Sequence, residues 1–167
     1  DVNTAWEVSD AATENCYYIK NAARGMYLEW YAEKSNWSAY GTIAADKESL
    51  FAQAFYKVSG DIPTPGGALP AAGDQVVLYN HSSQGVLAGQ DDNTGSPSIT
   101  SAAAELTDGK AAAANGGRVF TVEKNGDYYR FKTAHDGYLC SNGTGNNAFY
   151  QQEAAEDADW TLAEYNG

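Results

Sequence analysis

Across 167 residues, 22 acidic side chains outweigh 10 basic ones and leave a formal net charge of −12. That balance excludes nucleic acid and anionic membrane surfaces as partners, because no basic stripe is available to displace counterions from phosphates. With 43% hydrophobic residues the chain can bury one substantial core, so a single domain is expected, and no apolar run approaches the ~20 residues needed for membrane insertion.

Asp1-Val2-Asn3-Thr4 lacks the basic and apolar regions of a secretory signal, which reads as a mature or excised piece. Trp6-Glu7-Val8 has the pattern of a repeat's closing strand with no repeat before it, which reads either as an extra strand or as the remnant of a preceding domain. Tyr17-Tyr18-Ile19 then runs through a polar turn into Gly25-Met26-Tyr27-Leu28. The same design recurs as Val76-Val77-Leu78-Tyr79 to Gly85-Val86-Leu87, and as Tyr128-Tyr129-Arg130-Phe131 to Gly137-Tyr138-Leu139. An internal repeat with a period of about 50 to 60 residues must satisfy its hydrophobic pattern three times over, which constrains the fold more than any single residue does.

Each repeat also closes on an aromatic strand, at Ala54-Phe55-Tyr56-Lys57-Val58, Val119-Phe120-Thr121-Val122 and Asp159-Trp160-Thr161-Leu162. Middle strands are expected at Tyr40-Gly41-Thr42-Ile43-Ala44, Ser98-Ile99-Thr100 and Ala148-Phe149-Tyr150-Gln151. Asn125-Gly126 between two alternating runs predicts a hairpin with a type I′ turn. The Pro/Gly-rich connection 59–74 is a loop insertion, and the alanine runs 102–106 and 111–114 are at most single helical turns before Gly and Asn cut them short. The sum is an all-β domain over 1–167 with repeats at about 15–58, 75–124 and 127–166. Four strands per repeat give about twelve, and three such units can close with pseudo-threefold symmetry, which removes exposed sheet edges.

Cys16 and Cys140 fall in the first and third repeats. They either bridge the start of the fold to its end or pack as two buried thiols. His81 and His135 sit in polar turns without metal-ligand spacing, and Asp91-Asp92-Asn93-Thr94-Gly95 lacks the closing glutamate of a calcium loop, so no metal and no cofactor is expected. Asn36-Trp37-Ser38, Asn80-His81-Ser82 and Asn142-Gly143-Thr144 match the N-glycosylation pattern.

Tyr17-Tyr18-Ile19-Lys20-Asn21 followed by Gly25-Met26-Tyr27-Leu28 resembles the opening of a ricin-type β-trefoil repeat, found in lectins and in carbohydrate-binding modules appended to secreted glycan-active enzymes. The resemblance covers nearly the whole chain. The family's closing Gln-x-Trp signature is present in part, as Gln53-Ala54-Phe55 and Ala158-Asp159-Trp160, while Gly117-Arg118-Val119-Phe120 keeps only the aromatic. In such repeats the leucine of the second strand is followed by an acid that accepts hydrogen bonds from sugar hydroxyls. Here Leu28 is followed by Glu29, whereas Leu87 is followed by Ala88 and Leu139 by Cys140.

The resemblance implies a β-trefoil and a non-catalytic, extracellular or cell-surface domain whose partners are glycans, free or as a module tethered to other domains. Sugar recognition needs an apolar platform for the C–H face of a pyranose and directional polar groups for its hydroxyls. The first repeat offers both in Glu29, Tyr31, Asn36, Trp37 and Tyr40, with Trp30 expected in the core and Trp37 exposed in the turn. A second cluster combines Asn146 and Asn147 with Tyr150. Two alternative readings use the same barrel: a protein-interaction domain such as a protease inhibitor, and a structural spacer of a larger secreted protein.

Overall fold

The computed structural model describes residues 16–57, 69–91, 98–104, 106–107, 110–111, 116–143 and 147–164. Trp6-Glu7-Val8, Asp92 to Gly95 and most of the 59–74 connection lie outside the described residues.

The first repeat holds β1 (Cys16–Asn21), β2 (Tyr27–Tyr31), β3 (Asn36–Tyr40) and β4 (Ala52–Lys57). In the second repeat β5 (Gln75–Asn80), β6 (Gly85–Asp91) and β7 (Ser98–Ala103) are followed by a short ribbon, β8 (Leu106–Thr107) and β9 (Lys110–Ala111), and then β10 (Phe120–Asn125). The third contains β11 (Tyr128–Thr133), β12 (Gly137–Cys140), β13 (Phe149–Gln151) and β14 (Trp160–Glu164).

Strand pairing closes a ring. β1 pairs with β4, β4 with β5, β5 with β10, β10 with β11, β11 with β14, and β14 returns to β1, all antiparallel. Three hairpins, β2–β3, β6–β7 and β12–β13, cover one end of this barrel, and they are stitched together where Trp37 pairs with Ile99 and Ser38 bridges to Asn147. The twelve-stranded sheet with its threefold unit is a β-trefoil. Closure consumes the backbone donors and acceptors that an open sheet would leave unpaired at its edges.

The core lies inside the barrel and under the hairpins. Equivalent positions of the repeats supply Ile19, Leu78 and Phe131 from the opening strands, Leu28, Leu87 and Leu139 from the second strands, and Phe120 and Trp160 from closing strands, all fully buried. The turn after each opening strand is secured in the same way each time. A buried side chain accepts from the backbone N–H three residues on: Asn21 Oδ1 from Arg24 at 2.9 Å, Asn80 Oδ1 from Ser83 at 3.0 Å, and Thr133 Oγ1 from Asp136 at 2.8 Å. Such side-chain mimicry of a backbone turn is what short Asn and Thr side chains do well. Full burial of Asn80 also removes Asn80-His81-Ser82 as a glycan acceptor in the folded protein.

Several local expectations are corrected. Ala102 and Ala103 belong to β7, in register with Val86 and Gly85, and Leu106 pairs with Ala111 in the β8–β9 ribbon, so these residues are strand and not helical turn, while residues 105 and 112–114 lie outside the described residues. Alanine's helix preference is a few tenths of a kcal/mol over most residues, and pairing with an available strand outweighs it. Two 3-10 helices, Ala45–Phe51 and Glu156–Ala158, carry no apolar periodicity that would announce them; each leads into a closing strand. The hairpin at Asn125 is present, but Asn125 pairs with Tyr128, so the loop is Gly126-Asp127. Its positive φ falls on Gly126 alone, at 60°, which is the type II′ pattern and not type I′. Cys16 and Cys140 are both free and buried, and burial pushes their thiols up to about 11 and about 12.

Candidate functional site

Register in the first hairpin decides which side chains are available. Tyr31 pairs with Asn36 across the four-residue turn 32–35, which fixes Trp30 opposite Trp37 and Glu29 opposite Ser38. Residues paired across an antiparallel ladder share a face. The core face therefore carries Leu28, Trp30, Trp37 and Ala39, and the outer face carries Tyr27, Glu29, Tyr31, Asn36, Ser38 and Tyr40.

This corrects the expectation for Trp37. β3 begins at Asn36 instead of Tyr40, so Trp37 is a strand residue and not a turn residue, and it is 0% exposed in the core. Its ring meets Trp30 edge-on at 5.8 Å, with Trp30 the more accessible of the two. Trp37 is not available to a sugar. Nor is Tyr150, whose ring packs in the same core 6.2 Å from Phe120 while its hydroxyl donates to the Ala88 carbonyl at 2.9 Å.

The outer face keeps the rest of the first cluster together. The rings of Tyr31 and Tyr40 lie 5.9 Å apart and tilted by 58°, both half-buried. Tyr31 Oη donates to Glu33 Oε2 at 2.7 Å, and this hydrogen bond to a carboxylate pushes its phenol up to about 12. The Tyr40 phenol is also raised, first by burial and then by the charges of Glu29 and Glu33. Asn36 accepts a long hydrogen bond of 3.4 Å from Ser38 Oγ. Asn147, assigned to a separate cluster by its sequence position, is brought to this hairpin by its bridge to Ser38, the register partner of Glu29. Asn146 lies outside the described residues.

Glu29 is the unusual member. Alternation sets it on the outer face as expected, yet it is only 3% exposed, because the Ala45–Phe51 helix packs against β2, and its Oε2 has no hydrogen-bond partner among the described residues. Burial raises its pKa to about 7, against the smaller lowering effect of Lys47 and the added repulsion of Glu33. Lys47 Nζ sits 4.0 Å from Glu33 Oε1. The matching positions in the other repeats, Ala88 and Cys140, are also buried but uncharged. The fold thus fills this position three times without needing a carboxylate twice.

A buried carboxyl that is neutral when folded contributes most below its unfolded pKa and loses that contribution as pH rises through the folded value. Glu29→Gln is therefore expected to match the parent near its ordinary value of 4.5 and to be the more stable protein above about 7. The gain should be on the order of 2 kcal/mol after allowing for residual solvent screening. Thermal melts of both proteins across this range check it; a variant less stable at high pH would show that Glu29 is well paired.

No family model matches the chain, and no curated protein matches it. Solved structures do. SeviL, in a structure bound to asialo-GM1 saccharide, superposes with a TM-score of 0.56 at 15% identity, over 91% of this chain and 98% of that one. The BEL β-trefoil superposes at 0.57 and 12% identity, over 93% of this chain and 95% of the other. An endo-β-galactosidase from Clostridium perfringens that releases GlcNAcα1-4Gal matches at 0.61 and 14% identity, over 89% of this chain but 32% of the enzyme. At these identities the likeness is one of fold, a β-trefoil, and it extends over nearly the whole chain.

Proposed function

We propose that this domain is a non-catalytic carbohydrate-binding module or lectin of the extracellular space or cell surface, with its working site on the outer face of the first hairpin. The observation that carries this reading is the half-exposed pair Tyr31 and Tyr40, side by side on one face over the buried Glu29, at a position where the other repeats hold Ala88 and Cys140. Tyr31 and Tyr40 supply the platform and Asn36 and Asn147 the amide groups, with Glu29 buried behind them. The trefoils bound to saccharide or joined to a glycan-cleaving enzyme support a glycan as the ligand class. One such site binds weakly, so avidity would come from a tethered enzyme or from repeated copies.

A glycan array followed by titration of the hits tests this. Tyr31→Ala, which removes half of the platform, should weaken binding by about tenfold while leaving the melting transition in place. An empty array combined with tight inhibition in a protease panel would replace this reading with the protein-interaction one.

A further inference from the structure

The aromatic platform of the first repeat does not stop at Tyr31 and Tyr40. Tyr27 is the register partner of Tyr40 and shares its face. On β1, Lys20 pairs with Tyr27, and Tyr18, two residues away on the same side of the strand, brings its ring to 6.5 Å from the Tyr27 ring. With 5.9 Å between Tyr40 and Tyr31, the side chains follow one another as Tyr18, Tyr27, Tyr40 and Tyr31, each of them half-buried. The two end rings are held by their hydroxyls, Tyr18 donating to Glu48 and Tyr31 to Glu33, so they have little freedom left to lose when a ligand stacks on them. Lys20, 5.0 Å from the centroid of the Tyr27 ring, adds a donor beside the row.

The fold does not require this row. Where the first repeat pairs Tyr27 with Tyr40, the second pairs Val86 with Ala102 and the third pairs Tyr138 with Gln151; at the position of Tyr18 they hold Val77 and Arg130. Ring separations of 5.9 and 6.5 Å are comparable to the advance of one sugar unit along an extended chain. The rings are also turned against each other, by 81° at Tyr18 and Tyr27 and by 58° at Tyr31 and Tyr40, so they do not form one flat surface. Resting on the glycan-binding reading above, we infer that this face takes the interior of a single linear, uncharged polysaccharide chain, with successive sugar units stacked on Tyr31, Tyr40, Tyr27 and Tyr18. A chain that can turn between its units follows tilted rings, whereas the flat face of a packed polysaccharide does not. The net charge of −12 repels chains that carry uronate or sulfate.

The test is titration calorimetry with linear β-1,4 oligomers of glucose, xylose and mannose, each as the dimer and the hexamer, run beside the glycan array. In the series that binds, the hexamer should bind at least about tenfold tighter than the dimer, because it reaches more rings. Tyr18→Leu and Tyr27→Leu, which keep apolar bulk and lose the flat face, should each reduce that ratio to about threefold or less, while Tyr18→Phe and Tyr27→Phe should keep most of it. Tyr128→Leu, at an exposed tyrosine beside the β10–β11 turn, should leave the ratio intact. Dimer and hexamer bound equally, or a ratio that survives both leucine changes, would overturn the chain inference and leave the glycan site standing. An array on which only terminal or anionic sugars bind would do the same. No binding of any oligomer, together with an empty array, would remove both.

Discussion

Replacing Trp37 with alanine is expected to destabilise the domain by about 3–5 kcal/mol, enough to unfold much of a population whose total stability is of that order. The indole is fully buried, packs edge-on with Trp30, and sits on the strand that pairs with Ile99 of the second repeat, so the cavity would open where two repeats meet. Partial collapse is hindered because the barrel and hairpins are tied by pairing on every side. Trp37→Phe should cost much less than Trp37→Ala. The Trp37 Nε1 has no acceptor among the described residues, and phenylalanine removes that buried donor while keeping most of the volume. Trp160→Phe should behave differently, since Trp160 Nε1 donates to the Leu139 carbonyl at 2.9 Å and its loss strands a buried acceptor. Urea denaturation of the three variants reads all of this. A stable, folded Trp37→Ala protein that fails only to bind sugar would place Trp37 on the surface.

A loss of similar size is expected at Gly137, for a backbone reason. Its φ of 86° lies in the region that L side chains avoid, and a Cβ built there would fall 2.2 Å from the Gln151 carbonyl oxygen. Relief would need β12 to move away from β13, which pairs with it at Tyr138 and Gln151. Gly137→Ala should therefore cost about 3 kcal/mol or more, combining the left-handed penalty with overpacking against main chain. Gly126→Ala makes the contrast: its φ is also positive, at 60°, but a Cβ there meets nothing within 4 Å, so only the conformational term of about 1–2 kcal/mol applies. Denaturation midpoints that fail to separate the two variants would refute the steric part.

The residue pattern carried much of the architecture. The three passages from glycine to aliphatic-Leu or aromatic-Leu mark β2, β6 and β12, and the closing aromatic runs mark β4, β10 and β14, because each must face the same barrel axis and so repeats the same apolar alternation. The helices before two of those closing strands were not legible, since Ala45–Phe51 and Glu156–Ala158 are too short to show a helical stripe. Of the candidate site, Glu29, Tyr31 and Tyr40 hold their places on one face, whereas Trp37 was misplaced by the assumed start of β3. Shifting a strand's limits changes which residues count as turn, and with a period of two a single-residue difference reverses the face.

By itself the sequence determined the acidic surface, the threefold β unit, the core leucines and the lone acid after Leu28, because composition and alternation are local properties of the chain. Only the tertiary structure decided that Trp37 and Tyr150 belong to the core, that Asn147 joins the first hairpin, and that Glu29 is buried though it lies on an outer face. Those outcomes depend on which segments pack over which, and burial from above by a separate helix or hairpin leaves no periodic trace in the strand it covers.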